Sequence, residues 1–440
     1  METLIKVDTS EVKRLFSNLE LDGNKLRHQP GSVLGSIALI AGTTVGAGTL
    51  ALPAVTLPSG VLPSTILLIA VWIYALVSGL LIAEVTLNTM RLLGRPSLGL
   101  LVIVEHTLGK LGAQLAGGAY VFIHYTLLVA YLSEGGEILG SVASKVWGVQ
   151  DLLPTWLGTA AFALVFGGIM YLGRESFIEK LNNVFVAIVI ASFLGLLLLG
   201  LTHVRVDQFL FQDWRALPSA VVIMFVAMYY HNVIPVIVSQ LEGDARKIRS
   251  SIFIGSIIPL LMFLAWNAVI LGSVSPDMIQ ATADSKSIFD PLEILRSGGS
   301  GEWLGGLISL FSEFAIVTSF IGFVYGLLNF FQDISLVAQD KPSNRLSLYS
   351  LVLFPPISFS VMNPSIFFNA LDYAGTFNIF LAGIIPTAMT WVQRQEQEKP
   401  EKANTVNELL VPGGKLTLIV IFGISAAVIL KQIISIYSKF

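Results

Sequence analysis

Long apolar segments, separated by short polar ones, run along almost the whole chain. A membrane-spanning helix needs about 20 consecutive apolar residues, and the pattern predicts eleven such segments, of which the fourth and ninth are short. The sequence therefore predicts an all-α membrane protein with eleven transmembrane helices. They cover residues 32–57, 61–90, 114–144, 155–172, 181–201, 216–241, 251–273, 302–331, 347–361, 365–391 and 415–437.

The composition supports the same class of protein. The chain has 440 residues, of which 54% are hydrophobic and only 12% are charged, whereas about 25% of the residues in soluble domains are charged. A net charge of -3 argues against a nucleic-acid partner. The chain has no cysteine, which excludes disulfides and thiol nucleophiles. The partner that this composition predicts is the lipid bilayer.

The lysines and arginines between the apolar segments predict the orientation. Cytoplasmic loops of membrane proteins carry an excess of these residues. With the N-terminus inside, 19 of the 26 basic residues fall in cytoplasmic segments. We therefore predict a multi-pass protein of the cell membrane with its C-terminus outside. Residues 1–31 would form a cytoplasmic tail, and residues 392–414 a cytoplasmic linker.

The first apolar segment contains helix-breaking residues at its centre. Gly42, Gly46 and Gly48 lie there, and Pro53 follows them. Glycine destabilises a helix and proline removes a backbone donor, and irregular backbone survives in a membrane only where protein or a polar cavity covers it. Close helix packing through Gly42 and Gly46 is one explanation. The explanation we favour is a helix that unwinds because its freed amides and carbonyls bind a ligand.

The sixth apolar segment has a similar interruption, where His231 and Asn232 precede Pro235. Transporters built from inverted repeats carry broken helices at corresponding places in their two halves. The pattern therefore predicts a ten-helix transporter core and a peripheral eleventh helix. The repeats would cover about 32–201 and 216–391, within a core of residues 32–391, and the last helix would cover 415–440.

The two interruptions also predict a class of ligand. A half-helix that begins near Thr49 would point its N-terminus at the bilayer centre, where free amides suit a carboxylate. A half-helix that ends near Tyr230 would point its carbonyls at the same place, which suits an ammonium group. Together they indicate an α-amino acid. The predicted substrate-binding residues are Thr44, Gly46, Ala47, Gly48, Thr49, Tyr120, Tyr230, His231 and Asn232, and the aromatic candidates for pocket walls are Tyr120, Tyr125, Phe225, Tyr229, Tyr230 and Phe323.

The stretch GTTVGAGTLALP in the first span, together with YHNVIP in the sixth, resembles the hydroxy/aromatic amino acid permease family. The motifs LLIAEVTLN and DPLEIL are similar to that family too, and the resemblance covers about residues 30–390. The family holds tyrosine and tryptophan permeases and belongs to the amino acid–polyamine–organocation superfamily, which has the LeuT fold. The resemblance implies a symporter that imports aromatic amino acids by alternating access. Transport of other neutral amino acids is the alternative.

The same resemblance implies a site for a coupling cation. The LeuT fold binds sodium with carbonyls of the first span and with an A-x-x-T-S pattern in the eighth, and neutral oxygens suit such an ion. The alternative for the threonine–serine pair is bonding to its own helix. The residues implied for the ion site are Gly42, Val45, Ala315, Thr318 and Ser319.

Proton coupling would instead need a titratable group inside the membrane. Glu84 and His124 are the predicted candidates, although Glu84 could equally stabilise the broken helices. No cofactor is predicted apart from the coupling sodium ion or proton. A membrane-embedded enzyme would need a catalytic constellation, but no two of the five histidines have metal-ligand spacing, and the chain has neither a GxSxG motif nor a Walker loop. The sequence therefore predicts a transporter rather than an enzyme or a channel.

Overall fold

The computed structural model describes residues 15–16, 18–22, 25–28, 31–95, 97–147, 154–273, 302–338, 345–363, 365–398 and 409–437. Most of these residues are helical. The predicted tail contains a pair of short antiparallel strands, β1 (Leu19–Asp22) and β2 (Lys25–His28). Residues 274–301, which contain the DPLEIL motif, lie outside the described residues, as do residues 399–408 of the predicted linker.

Seven helices cover the first half of the chain. A turn of π-helix (Ala163–Gly167) joins the fifth to the sixth. The fourth begins 14 residues before the predicted start of its span and bends at Gly109, whose φ of 74° is not helical. The helices are α1 (Val33–Thr44), α2 (Ala47–Thr56), α3 (Val61–Leu93), α4 (Leu100–Trp147), α5 (Thr155–Phe162), α6 (Gly168–Leu172) and α7 (Glu175–Gly200).

Eight helices cover the described part of the second half. Short 3₁₀ turns lead from α7 to the eighth helix, and a turn of π-helix (Phe380–Ile384) joins the thirteenth to the fourteenth. The helices are α8 (Val221–Ala227), α9 (Ile234–Gln240), α10 (Ala245–Ser273), α11 (Glu302–Ala338), α12 (Arg345–Met362), α13 (Phe367–Ile379), α14 (Ile385–Gln397) and α15 (Gly414–Tyr437).

Every predicted apolar segment coincides with a helix or a pair of helices. Within the described residues, nine helical segments are long and apolar enough to cross a membrane, and the bent pair α1–α2 makes a tenth. The fourth predicted span is an apolar helix over Trp156–Leu172 that is shorter than the others. The structure thus confirms a helical multi-pass protein, and the count of eleven spans stays a prediction.

The two interrupted spans lie side by side near the centre of the bundle, where α2 packs against α8. Gly48 makes this contact possible, because a Cβ at this position would lie only 2.5 Å from the Cα of Ala227. The helix α1 packs on α10, while α4 and α11 contact each other and both contact α2. The last helix, α15, packs on α13 and α14, and only 17% of its most apolar stretch is buried inside the protein. The core of the bundle therefore surrounds the two interruptions.

Candidate functional site

The first span is interrupted between α1 and α2, whose axes meet at 51°. Val45 and Gly46 leave helical geometry, and α2 begins at Ala47 with Gly46 as its N-cap. No side chain of the described residues caps this end. The first amides of a helix have no acceptor inside the helix, and they lie at the positive end of its dipole. The amide of Thr49 already donates to the Gly46 carbonyl over 2.9 Å. Of the predicted residues, Gly46, Ala47 and Gly48 therefore form a helix end whose geometry suits a carboxylate.

Side chains from α4 and α11 face this interruption. A Cβ at Gly46 would lie 2.5 Å from the Oγ of Ser319 and 3.4 Å from the hydroxyl oxygen of Tyr131. Only a glycine leaves this space open. Sequence analysis missed Tyr131, because one tyrosine in an apolar helix has no pattern that separates a site residue from ordinary packing.

The structure brings some of the predicted ion ligands together. The hydroxyl of Ser319 donates to the carbonyl of Val45 over 3.3 Å, so these two oxygens are neighbours. The hydroxyl of Thr318 instead lies 3.0 Å from the Phe314 carbonyl and 3.1 Å from the Ala315 carbonyl of its own helix, the alternative that the sequence left open. Gly42 lies one turn before the interruption, where an added Cβ would have no neighbour within 4 Å.

Pro53 frees a carbonyl within α2, and a neighbouring helix satisfies it. A proline has no N–H, so the carbonyl four residues earlier, that of Thr49, loses its helical partner. The indole N–H of Trp266 in α10 donates to this carbonyl over 3.0 Å. On the other side of the interruption, the hydroxyl of the predicted substrate residue Thr44 bonds to the Ile40 carbonyl of its own helix, α1, at 2.7 Å. Trp266 thus stabilises the irregular backbone after the first interruption.

The sixth span is interrupted between α8 and α9, where residues 228–230 precede a 3₁₀ turn over His231–Val233. Asn378 in α13 donates to the freed carbonyl of Phe225 over 2.7 Å. The Nε2 of His231 lies 3.2 Å from the carbonyl of Ala75 in α3, and the Tyr230 ring stacks on His231 with 4.8 Å between centroids.

Tyr230 therefore lies against α3, where a Cβ at Gly79 would be 3.2 Å from its ring. Of the predicted substrate residues, Tyr230 and His231 hold the interruption to α3. Asn232 is half-buried, and its side-chain oxygen has no hydrogen-bond partner within the described structure. It remains available for a ligand.

A row of rings runs from the first interruption along the contact between α4 and α11. We call Tyr131, Phe323, His124, Tyr120 and Phe330 the aromatic row. Phe323 lies 5.6 Å from Tyr131 and 4.9 Å from His124, measured between ring centroids. Tyr120 lies 3.9 Å from His124 and 4.9 Å from Phe330. The predicted residues Tyr120 and His124 thus belong to one continuous aromatic surface that begins at Gly46.

An open cavity of about 630 Å³ adjoins the far end of the aromatic row. Phe330 forms part of its wall and stacks on Tyr120. Glu105, Lys110 and Gln114 of α4 supply its polar lining. The start of α4 and the end of α11 therefore border an open surface cavity that reaches the last ring of the aromatic row.

Glu84 lies in α3, where its carboxylate is fully buried and has several partners. The guanidinium of Arg394 in α14 binds both carboxylate oxygens, at 2.7 and 2.9 Å. The backbone amides of Leu410 and Val411 donate to the same carboxylate at 2.8 and 3.2 Å. The carboxylate therefore ties the end of the predicted linker to α3 and α14. This arrangement favours the stabilising role over the predicted role in coupling.

Comparison with known proteins shows which family the chain belongs to. The tryptophan/tyrosine permease family matches residues 29–432. The chain belongs to this family. Membership confirms the family predicted from the first and sixth spans, and it confirms that the chain is a permease and not an enzyme.

Characterised relatives of this permease differ in the substrate that their names give. The tyrosine-specific transport system 1 of Haemophilus influenzae is 28% identical over 395 residues, which cover 88% of this chain and 93% of that protein. A tryptophan-specific transport protein of Pseudomonas aeruginosa is 26% identical over 84% of this chain and 88% of its own length. The glutamine transporter 2 of Aliivibrio fischeri is 24% identical, over 88% and 95% respectively. Proteins named for chemically different amino acids are thus similar to this chain over most of its length.

Proposed function

We propose that this permease imports aromatic amino acids across the cell membrane, by alternating access and together with a cation. The observation that carries the proposal is the aromatic row, which begins at the uncapped N-terminus of α2. An amino acid bound there would place its carboxylate at the amides of Gly46 to Gly48. Its ammonium group would face the carbonyls at the end of α8, and its ring would pack beside Phe323.

The row also favours an aromatic substrate over glutamine, which the name of one relative gives. Aromatic rings prefer offset or edge-on contact with other rings, which adds about 0.5–1.5 kcal/mol per pair to the burial of apolar area. Phe323 and His124 offer such contact along the aromatic row that leads away from Gly46. Glutamine would gain none of it and would leave an amide to be satisfied.

The architecture that we propose is an inverted repeat of two five-span halves with the LeuT fold, plus an eleventh helix. The paired interruptions at residues 45–46 and 228–233, one in each half, support it. The N-terminus would be cytoplasmic, so that the cavity beside Phe330 opens to the cytoplasm. Substrate would then leave the site along the aromatic row.

The proposed coupling ion is sodium, bound near the neighbouring oxygens of Val45 and Ser319. Neutral oxygens satisfy a hard monovalent cation without adding charge to the membrane interior. The competing mechanism is proton coupling through a titratable group. Glu84 is a poor candidate for it, because Arg394 and two amides already engage its carboxylate.

Uptake by the purified protein in proteoliposomes tests the proposal. Labelled tyrosine, tryptophan, phenylalanine, glutamine and leucine would be supplied with the sodium and proton gradients set separately. We expect concentrative uptake of tyrosine or tryptophan with a sodium gradient alone. Uptake of glutamine or leucine in preference to every aromatic amino acid would overturn the substrate assignment. Full uptake without sodium under a proton gradient would overturn sodium coupling only.

A matched pair of substitutions in α11 locates the ion. Ser319→Ala removes a hydroxyl beside the first interruption, so the sodium concentration for half-maximal uptake should rise about tenfold, the effect of losing one good oxygen contact. Thr318→Val removes a hydroxyl that bonds to its own helix, so it should change that concentration less than about twofold. Equal effects of the two substitutions would place the ion elsewhere.

A further inference from the structure

His124 lies in the middle of the aromatic row and is completely buried. Its Nδ1 lies 2.8 Å from the backbone carbonyl oxygen of Tyr120, one turn earlier in α4. A carbonyl oxygen can only accept a hydrogen bond, so Nδ1 carries a proton and donates. In a neutral imidazole the other nitrogen, Nε2, is then an acceptor. The contact with Tyr120 therefore fixes which nitrogen of His124 can receive a hydrogen bond.

The Nε2 of His124 has no hydrogen-bond partner among the described residues. It faces Gly326 in α11, where an added Cβ would lie 3.2 Å from Nε2 and 3.3 Å from the Tyr120 hydroxyl. A buried acceptor without a donor is costly, and most such groups in proteins are satisfied. An atom at the Cβ position of residue 326 would lie 3.2 Å from this nitrogen, which is tight for a carbon but within hydrogen-bond range for a polar donor.

The distance from the first interruption suits a bound amino acid. Tyr131 and His124 are seven residues apart in α4, and Ser319 and Gly326 are seven residues apart in α11. Seven residues of α-helix rise about 10.5 Å. Tyr131 and Ser319 border the amides of α2, whereas His124 and Gly326 lie two turns away, past Phe323. An extended aromatic amino acid with its carboxylate at the interruption would point the far edge of its ring toward Nε2.

We propose that His124 determines substrate specificity by accepting a hydrogen bond from a donor on the aromatic ring. The phenol O–H of tyrosine and the indole N–H of tryptophan are such donors, and phenylalanine has none. A site built around a polar group rejects the analogue that leaves this group unpaired far more strongly than it rejects a change of size. The proposal rests on the proposed function, because it assumes that the aromatic row receives the substrate's ring.

The test measures how ring analogues compete with labelled tyrosine or tryptophan in proteoliposomes that contain the full-length protein. Phenylalanine and O-methyltyrosine are compared with tyrosine, and 1-methyltryptophan with tryptophan, since each analogue lacks the ring donor. In the wild type we expect the amino acid with the donor to compete at least about tenfold better than its analogue, the effect of one buried hydrogen bond. A preference for tyrosine over its analogues would identify the phenol O–H as the donor, and a preference for tryptophan over 1-methyltryptophan would identify the indole N–H.

Variants of α4 assign this preference to His124. His124→Leu should reduce the tenfold preference to less than about threefold, because no acceptor is left. His124→Gln retains an amide oxygen and should restore part of it. Thr126→Val is the matched control on the same helix, since the Thr126 hydroxyl bonds to carbonyls of its own helix. It should keep the full preference.

Three results would overturn the proposal. Equal competition by tyrosine, phenylalanine and 1-methyltryptophan in the wild type would show that a donor on the substrate's ring does not affect binding. The proposed function would remain intact. An unchanged preference in His124→Leu would assign the preference to another residue. Failure to carry any aromatic amino acid would overturn the proposed function itself. If His124→Leu does not insert into the membrane, His124→Phe, which also lacks an acceptor, takes its place in the second of these comparisons.

Discussion

The two interrupted spans solve the same problem with different residues. The first break covers only Val45 and Gly46, and glycine is its main component. The second covers residues 228–233 and carries two tyrosines, a histidine and an asparagine. Glycine brings backbone close to backbone and leaves room beside it. Large side chains instead hold the second break to its neighbours.

This difference in residues indicates that the two breaks have different roles. The first leaves the N-terminus of α2 uncapped and facing Ser319 and Tyr131. The second is tied down on both sides, through Asn378 to the Phe225 carbonyl and through His231 to the Ala75 carbonyl. The first break is therefore the one that offers uncapped backbone amides to a ligand. The second acts as a support that keeps α8 against α2.

Adding bulk to the first break should have the largest effect. In Gly48→Leu the new side chain would meet the backbone of Ala227, 2.5 Å from its Cα, so α2 and α8 must separate. We expect uptake in proteoliposomes to fall to background while the protein still inserts. Gly423→Leu is the matched control, because a Cβ at this exposed position in α15 has no neighbour within 4 Å. Normal uptake by Gly48→Leu would show that close packing of the two breaks is dispensable.

Glu84 tests whether α3, the helix to which the second break is tied, is itself held in place. Glu84→Gln leaves the guanidinium of Arg394 largely buried without its counter-charge, and breaking such a pair costs about 3–5 kcal/mol. We expect a large drop in the thermal stability of the detergent-solubilised protein, with the ion dependence of the remaining uptake unchanged.

Glu398→Gln is the control for Glu84, because Glu398 forms an exposed ion pair with Lys415 at 3.2 Å. It should change stability by less than about 1 kcal/mol. Loss of ion dependence in Glu84→Gln, without loss of stability, would restore the coupling role that the sequence predicted for Glu84.

The proline of the first break can be tested with a double-mutant cycle. Trp266→Phe leaves the freed carbonyl of Thr49 unsatisfied and should cost about 1–3 kcal/mol of unfolding free energy. Pro53→Ala restores an N–H that can bond to this carbonyl, so Trp266→Phe should cost less than half as much in that background. Trp72→Phe, which breaks a contact of 3.1 Å with Ser256, should cost the same in both backgrounds. If Trp266→Phe costs the same in the two backgrounds, the indole of Trp266 does not compensate for the hydrogen bond that Pro53 removes.

The support of the second break should show the smallest effect. Asn378→Leu leaves the Phe225 carbonyl without its donor and should cost about 1–2 kcal/mol in thermal unfolding, because the amide itself is also removed from the apolar interior. Asn363→Leu removes an exposed amide 3.5 Å from a carbonyl of its own helix and should change stability by less than about 0.5 kcal/mol. If Asn378→Leu reduced uptake to background, the second break would be as necessary for transport as the first.

The sequence by itself determined the class of protein, the positions of the apolar helices and the two interruptions. These properties depend on local composition, since lipid demands long apolar helices and glycine and proline interrupt them wherever they occur. The motifs at Gly46 and His231 also identified the family. The length of the apolar segments, however, did not predict that α4 begins at Leu100 or that α5 and α6 make a shorter helix than the other spans.

Only the tertiary structure decided which side chains meet. Tyr131 and Ser319 lie 188 positions apart in the sequence, yet both face Gly46. Nothing in the pattern near Glu84 points to Arg394, 310 positions later. His124 has a free acceptor because Gly326 lies opposite to it on another helix. A helix pattern specifies a buried face but not its neighbour, because many partners satisfy the same apolar face, and the packing of the whole bundle selects one.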